Sequence, residues 1–237
     1  MKFKSMVVQM GLSGVLAIAT VAAIPAAHAF GLGDIKAAAG VGGAAEQSGV
    51  DVNTLLSQQK DLMGRFNSSM NNMLLAQAKT LEAAGMKEDA QRANSAAQNY
   101  QTGNVVSEDQ LKRDAVISAE SNSKIEQLMK QGGTLSADGQ RILVSAVPHY
   151  AKGMYDGTRL PKEFQSWTSS AQGGLNSLAS NPLQAGKLTS GLKDVTTVAT
   201  SLPNLLKTWG STSAAFVSYA KSNKVDVSDV ESKLGDL

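Results

Sequence analysis

The run Asn53 to Ala84, NTLLSQQKDLMGRFNSSMNNMLLAQAKTLEAA, decides the fold class. Its apolar residues Leu55, Leu62, Phe66, Met70, Met73, Leu74, Ala78 and Leu81 recur at steps of three, four and seven. That spacing puts them on one face of a helix, whereas a half-buried strand would alternate. Asp51 or Asn53 supplies an N-cap, because a short side-chain oxygen accepts from the unpaired N–H groups of the first turn. Gly85 stops the run. A helix of this extent is about 48 Å long, a length that suits a bundle or a hairpin.

Downstream, the same period continues. Met86 to Gln101 is helical but rich in Ala, Gln and Asn, with little apolar face. Gly103-Asn104 is a turn, and Ser107-Glu108-Asp109-Gln110 fits a capping box. The helix it opens carries Leu111, Ala115, Ile125, Leu128 and Met129 and ends at Gly132-Gly133. Ser136-Ala137-Asp138 opens the next, with Ile142, Leu143, Val147, Tyr150 and Met154 inward. Pro148 is expected to kink it, since proline lacks the N–H and crowds the preceding turn. Asp156-Gly157 is read as a turn, Pro161 as the first turn of a new helix, and Asn181-Pro182 as its end. Leu183 to Asn223 is apolar and helical, with Pro203 and Gly210 expected to divide it. Ser228-Asp229-Val230-Glu231 reads as a last capping box.

Few segments argue for strands. The expected class is all-α, an antiparallel helical bundle with a long N-terminal helical hairpin over 50–133 and a compact aromatic-rich C-terminal part of the same domain over 134–237. Seven aromatics fall in that second part: Tyr150, Tyr155, Phe164, Trp167, Trp209, Phe216 and Tyr219. Aromatic side chains bury the most area per residue, so they mark a core or the lining of an apolar pocket or partner contact.

Upstream of Val50 the character changes. Met1-Lys2-Phe3-Lys4 is a short basic region, and Met6 to Ile24 is uncharged and almost wholly apolar. Pro25 breaks it, and Ala27-His28-Ala29 is the small-x-small triplet that a signal peptidase pocket admits. Residues 1–29 therefore read as a cleavable signal peptide, the alternative being an uncleaved anchor of about 20 residues. Residues 30–49, rich in Gly and Ala, read as a flexible arm, with Phe30, Leu32 and Ile35 available to dock on a partner.

Export sets the chemical context. The chain has no cysteine, which excludes a disulfide-dense scaffold, a thiol nucleophile and a lipid-anchored lipoprotein. Removing Lys2 and Lys4 leaves 20 bases against 20 acids, and no basic stripe marks a nucleic-acid binder. His149 is the one histidine after residue 28, so a multi-histidine zinc site is excluded. No G-x-S-x-G elbow presents a serine to it. Ser57–Lys60, Ser121–Lys124 and Ser190–Lys193 match Ser-x-x-Lys but lack the companion motifs of the penicillin-recognising acyltransferases. Met63, Met70 and Met73 could offer thioethers to Cu(I), but they occupy the apolar face of their helix, where Met is ordinary filler.

The sequence thus points to an exported, periplasmic or secreted, non-catalytic helical protein with no cofactor and no metal. Its partner is a protein or a cell-envelope component. The alternatives are a carrier of a lipid or apolar small molecule among the C-terminal aromatics, and a membrane-active helical protein. Signal cleavage generates the first prediction. Protein recovered from its host begins at Phe30, as read by N-terminal sequencing; recovery of the intact Met1 terminus from membrane fractions would establish the anchor instead.

Overall fold

The computed structural model describes residues 51–101, 107–178 and 181–235. The expected signal peptide, the arm and the Gly103-Asn104 turn lie outside the described residues. Six helices make up the rest: α1 Val52–Ala83, α2 Lys87–Gln98, α3 Glu108–Gln131, α4 Ala137–Ser177, α5 Pro182–Ser222 and α6 Ser228–Leu234. No strand occurs among the described residues, so the protein is all-α.

Local chemistry accounts for most helix ends. Asp51 caps α1 by accepting from Asn53 N at 3.0 Å and Thr54 Oγ1 at 2.9 Å. These bonds hold its carboxyl below the ordinary range. Ser136 and Asn181 cap α4 and α5 through Gly139 N and Gln184 N. Gly85 and Gly132 end α1 and α3 at φ of 79° and 63°, where a Cβ would be strained. Ser107 caps α3 through Gln110 N, but no return bond to the Ser107 N–H completes the box: the Gln110 side-chain oxygen accepts from Arg113 instead. The last capping box does not form either. Ser228 is the first residue of α6, and its N–H is taken by Asp226 Oδ1 at 3.0 Å.

The larger correction concerns α4 and α5. Each is one unbroken helix of 41 residues, about 60 Å long. Asp156-Gly157 is not a turn, Pro161 does not start a helix, and neither Pro148 nor Pro203 nor Gly210 interrupts one. All three prolines lie on the exposed side of their helices. There the neighbouring turn's carbonyl, deprived of its N–H, can tilt outward to water.

What runs through these helices is a strict alternation of three and four residues. On α4 the repeat runs through the buried Gly139, Leu143, Ala146, Tyr150, Gly153, Gly157, Leu160, Phe164, Trp167, Ala171 and Gly174 to Leu178 just past its end, with Met154 also buried beside it. On α5 it runs from Leu188 through Gly191, Val195, Val198, Leu202, Leu205, Trp209, Thr212, Phe216 and Tyr219 to Asn223 just past its end, with Ser213, Ala215, Val217 and Ala220 buried beside it. A 3.5-residue repeat keeps one seam turned to a partner helix over many turns. α1 carries two such seams. One runs Val52, Leu55, Gln59, Leu62, Phe66, Ser69, Met73, Ala76, Thr80 and Ala83; the second, beside it, runs Met63, Asn67, Met70, Leu74, Gln77 and Leu81.

The first seam meets α4. Trp167 Nε1 donates to Leu55 O at 2.8 Å, Ser69 Oγ donates to Gly153 O at 2.7 Å, and Arg65 pairs with Glu163 at 2.6 Å. Numbers fall along α4 as they rise along α1, so the two helices run antiparallel. α1 touches α2, α3, α4 and α5, while α2 and α4 do not touch each other. The long N-terminal helix therefore does not stand off the rest. Its Leu55, Phe66, Met70, Met73 and Leu74 share one apolar cluster with Tyr150, Trp167, Trp209 and Phe216.

Glycine on the α4 seam permits this approach. A Cβ on Gly157 would lie 2.9 Å from Ser69 Oγ and 3.1 Å from the Trp209 ring; one on Gly173, on the outer face, would meet nothing within 4 Å. Gly157→Val is accordingly expected to lower unfolding free energy by about 1–3 kcal/mol through overpacking. Gly173→Ala is expected to raise it by roughly 1 kcal/mol. Denaturant melts of the two variants measure both; equal effects would remove the close-approach argument.

Candidate functional site

The seven aromatics divide six to one. Tyr150, Phe164, Trp167, Trp209, Phe216 and Tyr219 are buried, at 0 to 3 % exposure. Tyr150 and Phe216 stack with centroids 4.2 Å apart. Burial pushes the ionisation of the Tyr150 hydroxyl well above the usual range, and that of Tyr219 upward. Tyr155 is different. It is 39 % exposed, with the Arg159 guanidinium 4.0 Å and the Lys233 ammonium 5.1 Å from its ring centroid. The structure brings six of the seven into the core and leaves the seventh at the surface.

The remaining sequence candidates are also placed. Met63, Met70 and Met73 lie within the apolar cluster, Met73 against Gly153. Ser121 is buried, and its motif partner Lys124 is engaged by Asp89. His149 is partly buried on α4, its Nδ1 2.9 Å from Asn72 Oδ1. Asn72 Nδ2 in turn donates to Ser68 O at 2.8 Å. This fixes the amide with its oxygen toward the ring, so Nδ1 carries the proton and donates.

His149 stands at one edge of a feature that sequence reasoning missed. Because α2 and α4 do not touch, one side of α1 is left between them. There a groove of about 320 Å³ is lined by Gly64, Asn67, Ser68, Asn71, Asn72, Tyr100 and Gln101. Its surface is amide and hydroxyl rather than apolar. Asn71 Nδ2 donates to Ala97 O at 2.7 Å, tying the groove to α2. Ser68 Oγ donates to Asp156 Oδ2 at 3.0 Å, tying it to α4, and Lys152 neutralises that carboxylate at 2.9 Å. The available sequence signal is the small polar set Gly64, Ser68, Asn71 and Asn72 at helical spacing, beside two apolar seams.

A second, larger groove of about 620 Å³ lies between α2 and α3, with Glu88, Gln91, Arg92, Ser95, Asn99, Gln110 and Asp114 along it. Asp114 is buried to 1 % exposure and accepts from Gln110 Nε2 at 2.9 Å and Asn99 Nδ2 at 3.2 Å. Burial, and then this carboxylate, push the neighbouring Tyr100 hydroxyl's ionisation far up. None of the seven C-terminal aromatics lines either groove. Both surfaces can offer hydrogen bonds to a polar partner. Among the described residues, no group of three His, Cys, Asp or Glu is placed to hold a metal ion. No described helix is long and apolar enough to cross a membrane.

Comparison with family models, with curated proteins and with solved structures finds no match to this chain.

His149 supplies a test of the groove's edge. Desolvation, and then Lys79, hold its pKa below the ordinary 6.5. The folded state therefore favours the neutral ring, and the unfolded chain takes up the proton first. Stability is retained above the unfolded pKa and lost as pH falls from there toward the folded value. Thermal melts between about pH 7.5 and 5.5 should show a smaller decline for His149→Gln than for the parent protein. Parallel declines would place the histidine outside the pH response.

Proposed function

We propose that this chain is an exported, periplasmic or secreted, non-catalytic protein, folded as an antiparallel helical bundle, that binds a partner protein or a cell-envelope component. One observation carries the reading: among the described residues, a polar groove lined by Gly64, Ser68, Asn71 and Asn72 runs along α1 where α2 and α4 do not meet. A long helix in the middle of an all-α fold is ordinarily covered on every side by neighbours. Here the half-buried strip carries amide and hydroxyl groups, in Ser68, Asn71 and Asn72, rather than a reactive group. Such a strip recognises another surface by hydrogen bonding and shape.

The carrier reading takes second place. It needs an apolar cavity among the C-terminal aromatics. Six of those rings pack into the apolar cluster, and none of the seven lines either groove. The membrane-active reading rests on α5, which has Lys187, Lys193, Lys207 and Lys221 against Asp194, a modest basic excess.

Gly64 and Gly173 permit a matched experiment, because a side chain at either position enters open space. A photoreactive phenylalanine analogue at Gly64 should capture a discrete adduct when irradiated in the native host. The same analogue at Gly173, on the outer face of α4, should not. Equal labelling from the two positions, or none from either, would overturn the assignment of the groove. A lipid recovered by mass spectrometry from the purified protein would restore the carrier reading.

A further inference from the structure

The pair α2–α3 is attached to the molecule by a different chemistry from α4 and α5. The buried residues of α2 are all alanine. Those of α3 are Leu111, Asp114, Ser118, Ser121 and Ile125, so three of five inward positions are polar. Where α3 meets α1 and α5, Gln77 Nε2 donates to Ser118 O at 3.1 Å and Thr212 Oγ1 at 3.3 Å. On the same contact Gln77 Oε1, Ser118 Oγ and Ser213 Oγ are buried without a protein partner. Separation would give these atoms to water, which offsets part of the apolar area lost.

The two helices meet each other over less surface than α2 shares with α1 or α3 with α5, but the charged side-chain contacts of this region run between them. Arg92 pairs with Glu120 at 2.6 Å, Lys124 pairs with Asp89, and Asn99 donates to the buried Asp114. Among the described residues, no ion pair links α2 or α3 to α1, α4, α5 or α6. Side-chain hydrogen bonds to the rest of the molecule are few: Asn71 to Ala97 O, Gln77 to Ser118 O, and Ser211 of α5 with both Asn122 and Glu126 of α3. α4 instead fills its seam with Leu143, Tyr150, Leu160, Phe164 and Trp167.

From this contrast we propose that α2–α3 is a detachable cover: it leaves α1 and α5 as a unit while the α1–α4–α5 packing stays intact, and it uncovers the α1 seam at Gln77 and Leu81. Local openings of this kind occur in cooperative units whose free energies lie below that of global unfolding. The inference does not depend on the partner proposed above, since it concerns the unliganded protein.

Hydrogen exchange of the mature protein, read by mass spectrometry at neutral pH, tests it. Amides of α2 and α3 should exchange roughly tenfold or more faster than those of the α4 and α5 seams. Two variants separate opening of the unit from fraying within each helix. The Asn122 and Ser211 side chains meet across α3 and α5, and the chain has no other thiol, so Asn122→Cys with Ser211→Cys places two thiols on facing helices, and loss of free thiol on oxidation reports closure of the disulfide. Oxidation should slow α2–α3 exchange toward the α4 rate, and reduction should restore it. Gln77→Leu with Ser118→Ala, which removes two of the three unpartnered atoms, should slow it without a cross-link. Exchange in wild-type α3 as slow as in α4 would overturn the proposal. So would fast exchange that persists in both the oxidised and the Gln77→Leu/Ser118→Ala proteins.

Discussion

The fold depends on a 3.5-residue repeat sustained along two helices of 41 residues each. With that period, a seam residue recurs on α4 once per turn from Gly139 to Leu178 without a break. The repeat is stronger than the local signals it overrides. Proline costs a helix an N–H and glycine costs it backbone entropy. Yet Pro148, Pro161 and Pro203 each sit off the seam on the exposed side, where the penalty is smallest. Glycine at 153 and 157 sits on the seam, where a larger side chain would collide with Met73, Ser69 or Trp209.

This explains which parts of the architecture could be read in the sequence. The all-α class, the caps at Asp51, Ser107 and Ser136, and the stops at Gly85, Gly132 and Asn181-Pro182 depend on chemistry within one turn, so short windows reveal them. The continuity of α4 and α5 depends on where each proline and glycine falls relative to a distant partner helix. Residue type alone therefore misreads Asp156-Gly157 as a turn. Position relative to the repeat separates the aromatics as well. Tyr150, Phe164, Trp167, Trp209, Phe216 and Tyr219 all fall on the seams and are buried; Tyr155 falls between Gly153 and Gly157 and is not. The polar groove beside α1 had no comparable one-dimensional signal. It exists because α2 and α4 fail to meet, which is a relation between helices far apart in the chain.

The interior divides between two kinds of surface. Toward α4, α1 presents Leu55 and Met73 to one apolar cluster with Tyr150, Phe164 and Trp167, and Trp167 finds the Leu55 carbonyl for its N–H. A buried indole with its donor satisfied both packs and orients. Toward α3, α1 presents Gln77 to Ser118 and Thr212, a contact with more hydrogen-bonding atoms than partners for them. The first kind of contact favours one rigid arrangement. The second lowers the difference between a packed and a hydrated interface.

The antiparallel pairing of α1 with α4 also bears on how the chain comes to be folded. Leu55 and Trp167 are in contact although 112 residues separate them in sequence. A ribosome or a translocation pore delivers the chain from its N-terminus, so α1 emerges long before the helix that covers its larger seam. Until then it has only α2 and α3 beside it, the helices with the smaller and more polar inner faces. Contacts of such high sequence separation slow folding, because a large loop has to close before any reward is collected. A half-delivered chain presents Leu55, Leu62 and Phe66 to its surroundings, a window in which aggregation competes with folding and a holding chaperone would have something apolar to hold.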